Sequence, residues 1–124
     1  MFINFSNHPY DKWSEEQKAA AVVFGEVLDV PFPSVPGNAD EDQITRLAEE
    51  STKKILSHID KSKENVVMVQ GEFTLTYAVV SILLSMGITA VSACAERRVT
   101  ETVDENGTPL KQVVFQFERF RKYG

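Results

Sequence analysis

Apolar positions along the chain change period several times, and each change marks an element. Met1–Phe5 is a short apolar run closed by the polar turn Ser6-Asn7-His8-Pro9, the pattern of a buried first strand. Ser14-Glu15-Glu16-Gln17 sets a hydroxyl three residues before a glutamine. That capping box opens a helix running through Phe24 and stopping at Gly25. Val27–Val30 is a second short strand, and Pro31, Pro33, Pro36 and Gly37 make the following segment an irregular loop. From Asp40 to Ile59, residues Ile44, Leu47, Ala48, Ile55 and Ile59 form one helical stripe opposite Glu49, Glu50, Lys53 and Lys54. Val66–Gln70 returns to a strand, Thr74–Met86 is an uncharged helix, and Ile88–Cys94 is a fourth strand. Alternation through Arg98–Val103 and Gln112–Phe120, around the turn signal Glu105-Asn106-Gly107, predicts a β-hairpin.

The order βαβαβαβ plus a hairpin predicts an α/β fold. Right-handed crossovers leave few arrangements, and the expected one is a Rossmann-like three-layer sandwich. Its parallel strands run in the order 2-1-3-4, extended by a C-terminal antiparallel hairpin. At 124 residues the chain makes a single domain, 1–124, with one core. In that order the winding reverses between strands 1 and 3, and ligands of open parallel sheets bind at the carboxyl edge of such a reversal. Ser6, Asn7 and His8 would line one side of this crevice and Gln70, Gly71, Glu72 and Thr74 the other, with Arg97 and Arg98 following strand 4.

Charge and composition narrow the ligand. A formal net charge of −5 argues against broad binding to nucleic acid, which requires many phosphate-neutralising cations. A small anion held by a local basic cluster is compatible with it. The single cysteine, Cys94, excludes an intrachain disulfide and favours a cytoplasmic setting. The opening residues lack the basic start and long apolar run of a signal peptide. Phe73 to Ala95 carries no charge and is long enough to span a bilayer. Its hydroxyl residues and Gly87 divide it into a buried helix and a buried strand, so no membrane span is expected.

Each candidate side chain has a chemical and a structural reading. His8 suits acid–base work or donation to a phosphate, because imidazole as a type titrates near neutrality; it also fits an ordinary turn. Glu72 could orient a ribose hydroxyl or act as a base, or sit as a favoured acid in a helix's first turn. Thr74 is a candidate ligand contact and equally a capping hydroxyl. Arg97-Arg98 is the only adjacent arginine pair and suits bidentate phosphate recognition, or protection of an edge strand. Cys94 reads as a small apolar residue, since the arginine a phosphatase loop needs six positions later is Thr100. The acids of a receiver domain, the hydroxyl-glycine loop of a flavin site, GxGxxG and Walker patterns are all missing. One cysteine and the distant His8 and His58 make no zinc site, so no metal and no cofactor are expected.

Phe5-Ser6-Asn7-His8-Pro9 together with Trp13-Ser14-Glu15-Glu16-Gln17 resembles the start of small CRISPR-associated accessory proteins of the Rossmann-like CARF type. The resemblance implies a homodimer binding a cyclic oligoadenylate messenger, an antiviral-defence signal, across its twofold axis. Some members are ring nucleases that cleave the messenger without metal. It would make His8 the acid/base candidate, Arg97 or Arg98 the phosphate clamp and Glu72 a ribose or base contact. The acidic balance and an acid at position 72 depart from that pattern. The alternative belongs to another class: a non-enzymatic protein-interaction module using the third helix, apolar on nearly all sides, and the C-terminal hairpin.

Overall fold

The computed structural model describes residues 1–124. Its elements are β1 (Phe2–Ser6), a 3-10 turn (Tyr10–Lys12), α1 (Glu15–Val22), β2 (Val27–Pro31), α2 (Glu41–Leu56), β3 (Val66–Gln70), α3 (Phe73–Ser85), β4 (Thr89–Val103) and β5 (Pro109–Lys122). All five strands form one sheet in the order β2-β1-β3-β4-β5. β1 pairs in parallel with β2 and β3, β3 in parallel with β4, and β5 antiparallel with β4. The expected strand order and the terminal hairpin are both present.

Side-chain alternation along the strands divides the core in two. Ile3, Phe5, Val67, Val69 and Ala90 pack with Ala48 and Ile55 of α2 and with Leu75, Val79 and Leu83 of α3. Phe2, Val66, Met68 and Val91 point the other way, onto Trp13 and Ala21 of the α1 segment. Helices therefore cover both faces, α1 on one and α2 with α3 on the other. Every residue of β1 is buried, as expected for a central parallel strand.

Local chemistry sets the helix ends. Ser14 accepts from the Gln17 N–H and opens α1. Asp40 and Gln43 form a reciprocal capping box at α2. The sequence reading carried α2 to Ile59, but the helix ends at Leu56 because Ser57, His58 and Ile59 close a tight turn instead. α1 stops at Val22, short of Phe24, and Gly25 with φ of 103° turns the chain toward β2. Pro31 ends β2 rather than opening the loop, which an edge strand tolerates.

The largest departure from the sequence reading is at β4. A strand ending at Cys94 and a separate hairpin strand from Arg98 were expected. The structure has one continuous strand from Thr89 to Val103, since no glycine or proline interrupts Ala95-Glu96-Arg97. Its pairing with β3 lasts only from Thr89 to Val91. Beyond that, the only strand paired with β4 is β5, and the two run out of the sheet as a ribbon. A bulge at Cys94/Ala95, where Cys94 pairs with Arg119 and Ala95 with Phe117, turns the ribbon away from the parallel strands. Cys94 itself is half-buried at this bend. No helix is long and apolar enough to cross a membrane.

Candidate functional site

A crevice of about 450 Å³ opens at the carboxyl ends of β1 and β3, on the α1 face of the sheet. One wall comes from the segment after β1: His8, Lys12, Trp13, Ser14 and Gln17. The floor is Met68 and Gln70 of β3 with Ala93 and Ala95 of β4. Phe115 and Phe117, at the root of the ribbon, form the opposite wall.

A buried polar cluster fixes the His8 turn. Asn4, between Ile3 and Phe5 in the middle of β1, is only 1% exposed. Its Nδ2 donates to the His8 carbonyl and to Asp29 Oδ1, each at 2.8 Å. The Ser6 hydroxyl donates to Asn4 Oδ1 at 2.6 Å and accepts from the His8 N–H at 3.1 Å. The Trp13 indole N–H donates to the same His8 carbonyl at 2.9 Å. Asp29 in turn accepts from the Tyr10 N–H. A network satisfied on this scale specifies one geometry, because unpaired buried polar groups are costly. Ser6 thus holds the turn from inside, and Asn7 and the His8 side chain are on its exposed surface.

Gln70 is positioned by the divergence of β3 and β4. Its Oε1 accepts from the Ala93 N–H at 2.9 Å, replacing the ladder bond that is lost where the strands part. That bond orients the amide and leaves its two N–H donors at the crevice. Gln17 Nε2 lies 3.9 Å from Met68 Sδ, a weak contact that keeps its amide over the floor.

The expected constellation is only partly assembled here. His8 and Gln70 line the crevice together. Glu72 does not: it is the N-cap of α3 on the other face, accepting from the Thr74 and Leu75 N–H groups and the Thr74 hydroxyl. The Leu75 N–H bond, then the Thr74 hydroxyl and N–H, lower the Glu72 pKa. Thr74 faces a separate hollow between α2 and α3. Gly71 lies under the Phe32 ring, which fills the α2/α3 side of the β1/β3 junction. Pairing register separates the arginines. Arg97 pairs with Phe115 and shares its crevice-side face. Arg98 points to the opposite face, where Glu96 and Glu118 engage it at 3.1 and 3.3 Å.

Sequence reasoning missed Asn4, Asp29, Lys12, Gln17 and Phe115. Asn4 had a signal: an amide between Ile3 and Phe5 in a buried strand needs partners. The others are brought to the site only by the packing of α1 and the ribbon.

A family model matches residues 1–121, nearly the whole chain. The chain belongs to the Uncharacterized protein MJ1673 family. The match runs through the ribbon and up to its return into the sheet, so this MJ1673-family member carries the crevice and both its walls within the matched span. Comparison with curated proteins and with solved structures returns no match.

The Glu72 cap has a measurable consequence. Glu72→Ala is expected to lower stability by about 1 kcal/mol, as loss of an N-cap does. Because its folded pKa is depressed, the wild-type contribution is fully present above the ordinary carboxyl value of 4.5. It fades as pH falls through the lower folded value. Denaturant titrations of both proteins at neutral and strongly acidic pH should therefore converge at the acidic end.

Proposed function

We propose that this chain is a Rossmann-like, cytoplasmic homodimer that binds a cyclic oligoadenylate or related nucleotide messenger in the crevice beside His8. The observation that carries the reading is the crevice's wall chemistry. Two phenylalanines from the ribbon face a turn bearing His8 and Lys12, with the Gln70 amide donors on the floor. Aromatic faces stack bases irrespective of sequence, and cations at the rim neutralise phosphate. A volume of about 450 Å³ lies within the range of small-molecule sites. The place, at the reversal of winding between β1 and β3, is where open parallel sheets bind ligands.

In this reading Phe115 is the principal stacking surface, since it is 72% exposed in the free protein. Lys12 and Arg97 take the phosphates, and Gln70 reads a base or ribose edge. Cleavage of a ribose–phosphate ring by its own 2′-hydroxyl needs that hydroxyl held in line and a group to move its proton. His8 is the acid–base group in the crevice. Glu72 supports α3 from the other face.

The test is calorimetry with cyclic tri-, tetra- and hexa-adenylate, followed by chromatography for linear products. Binding of at least one ring is expected, weakened about tenfold or more by Phe115→Ala, the usual cost of one stacked base. Arg97→Ala should weaken it with a reduced salt dependence, while Arg98→Ala leaves it unchanged. Where linear product forms, His8→Ala should remove it and keep affinity. No binding of any ring overturns the proposal.

A second reading, a non-enzymatic interaction module, has its own support. Phe73 and Tyr77 on α3 are 89% and 76% exposed, and exposed aromatics anchor protein interfaces. It predicts that Tyr77→Ala abolishes capture of a protein partner while crevice variants do not.

A further inference from the structure

The ribbon has an outer strand edge that the ligand reading does not use. Register places Val99, Val113, Phe115 and Phe117 on the crevice side together with Arg97, Glu101 and Lys111, and Leu110 and Val114 on the other together with Arg98 and Gln112. Such a two-stranded ribbon, exposed on both faces and along the outer edge of β5, is marginal in water by itself. The outer edge is also unguarded. Gln112-Val113-Val114-Phe115-Gln116-Phe117 contains no charge, glycine or proline, the composition that pairs with another strand.

That window is self-complementary. Two copies pairing edge to edge about a twofold axis normal to the sheet keep each face on its own side, so the axis must pass through a residue. Placed on Val114, it sets Gln112 opposite the second copy's Gln116 and Val113 opposite its Phe115, with the two Val114 side chains together. Polar then meets polar and β-branched meets aromatic, the favoured cross-strand pairs. Charge rejects the next register: an axis through Phe115 puts Lys111 opposite the second copy's Arg119. An axis through Val113 puts Gln112 opposite Val114 and Lys111 opposite Phe115, so polar residues face apolar ones.

We infer that β5 pairs with β5 of a second copy about an axis through Val114, making one continuous ten-stranded sheet (twice the five strands of one chain). This rests on the homodimer part of the reading above and names its interface. It also places both Phe115 rings near the axis on the crevice side, so the two crevices face a common surface.

Sedimentation of the ligand-free protein at micromolar concentration should give twice the chain mass. Val114→Lys, which sets two cations together on the axis, should give the monomer mass with an unchanged circular dichroism spectrum. In a Cys94→Ala background, Val114→Cys should cross-link two chains under mild oxidant, because directly opposed strand residues have Cβ atoms ~4.5–5.5 Å apart. Tyr77→Cys in the same background should not. A dimer that survives Val114→Lys, or that cross-links through Tyr77→Cys and not Val114→Cys, overturns the ribbon interface and leaves the homodimer standing. A wild-type protein that is monomeric at every concentration overturns both.

Discussion

Replacing Asn4 by leucine is expected to destabilise the protein by about 3 kcal/mol, counting two lost neutral hydrogen bonds and one lost charge-assisted one at a buried site. Leucine keeps the number and branching of side-chain heavy atoms and is bulkier, so no cavity forms. Asn4 Nδ2 supplies a donor to the His8 carbonyl and another to the Asp29 carboxylate, and its Oδ1 takes the Ser6 hydroxyl. Leucine offers none of these. The His8 carbonyl keeps the Trp13 indole and Asp29 keeps the Tyr10 N–H, which limits the loss. For a chain of this size the melting temperature should fall by roughly 10 °C. Because the same bonds shape the His8 turn, affinity for a crevice ligand should fall as well, even well below the melting temperature. Asn4→Asp separates geometry from charge. The introduced carboxyl is isosteric, buried, and set against Asp29, both of which raise its folded pKa. Its penalty is therefore largest at neutral pH and shrinks as pH falls toward the ordinary carboxyl range. A leucine variant whose melting matches wild type would show that the network is incidental to the fold.

Gly71→Ala is expected to cost about 2 kcal/mol, within the usual range for overpacking a filled core. A Cβ on Gly71 would come within 2.6 Å of the Phe32 ring. Phe32 is buried and packs on Phe5 with ring centroids 4.8 Å apart, so it has little room to retreat. Gly71 does not have positive φ, so the effect is steric. Two controls separate these causes. Gly37→Ala, where nothing lies within 4 Å of the added Cβ, should be close to neutral. Phe32→Leu combined with Gly71→Ala should cost less than the sum of the two single changes, the signature of a shared contact. Strict additivity would contradict the steric account.

Both predictions rest on residues whose importance is unevenly visible in the sequence. Gly71 was assigned to the crevice because it follows β3, and Phe32 was hidden in a proline-rich loop. Only the return of that loop across the end of β1 lays the ring on the glycine. Glu72 was read as a ligand contact or a first-turn acid. Its bonds to Thr74 and Leu75 make it the N-cap, one position ahead of that turn, the capping place the sequence reading offered to Thr74. Arg97 and Arg98 could not be told apart from sequence, because a one-residue step on a strand exchanges faces and the register was unknown. Pairing with Phe115 puts Arg97 toward the crevice, and Glu96 and Glu118 engage Arg98 on the other side.

By itself the sequence determined the elements and their order. Each depends on short-range physics: periodicity of apolar residues, the caps at Ser14 and Asp40, and the Asn106-Gly107 turn. From these and the handedness of crossovers came the β2-β1-β3-β4 succession and the place where winding reverses. Tertiary structure decided which side of that reversal stays open. Phe32 fills one side, and Trp13 with the ribbon phenylalanines builds a crevice on the other. It also decided that β4 continues past Cys94, since departure from β3 at Val91 depends on partners distant in sequence. Contacts between residues far apart in the chain leave no periodic trace, and this is why the walls of the site were not legible while its position was.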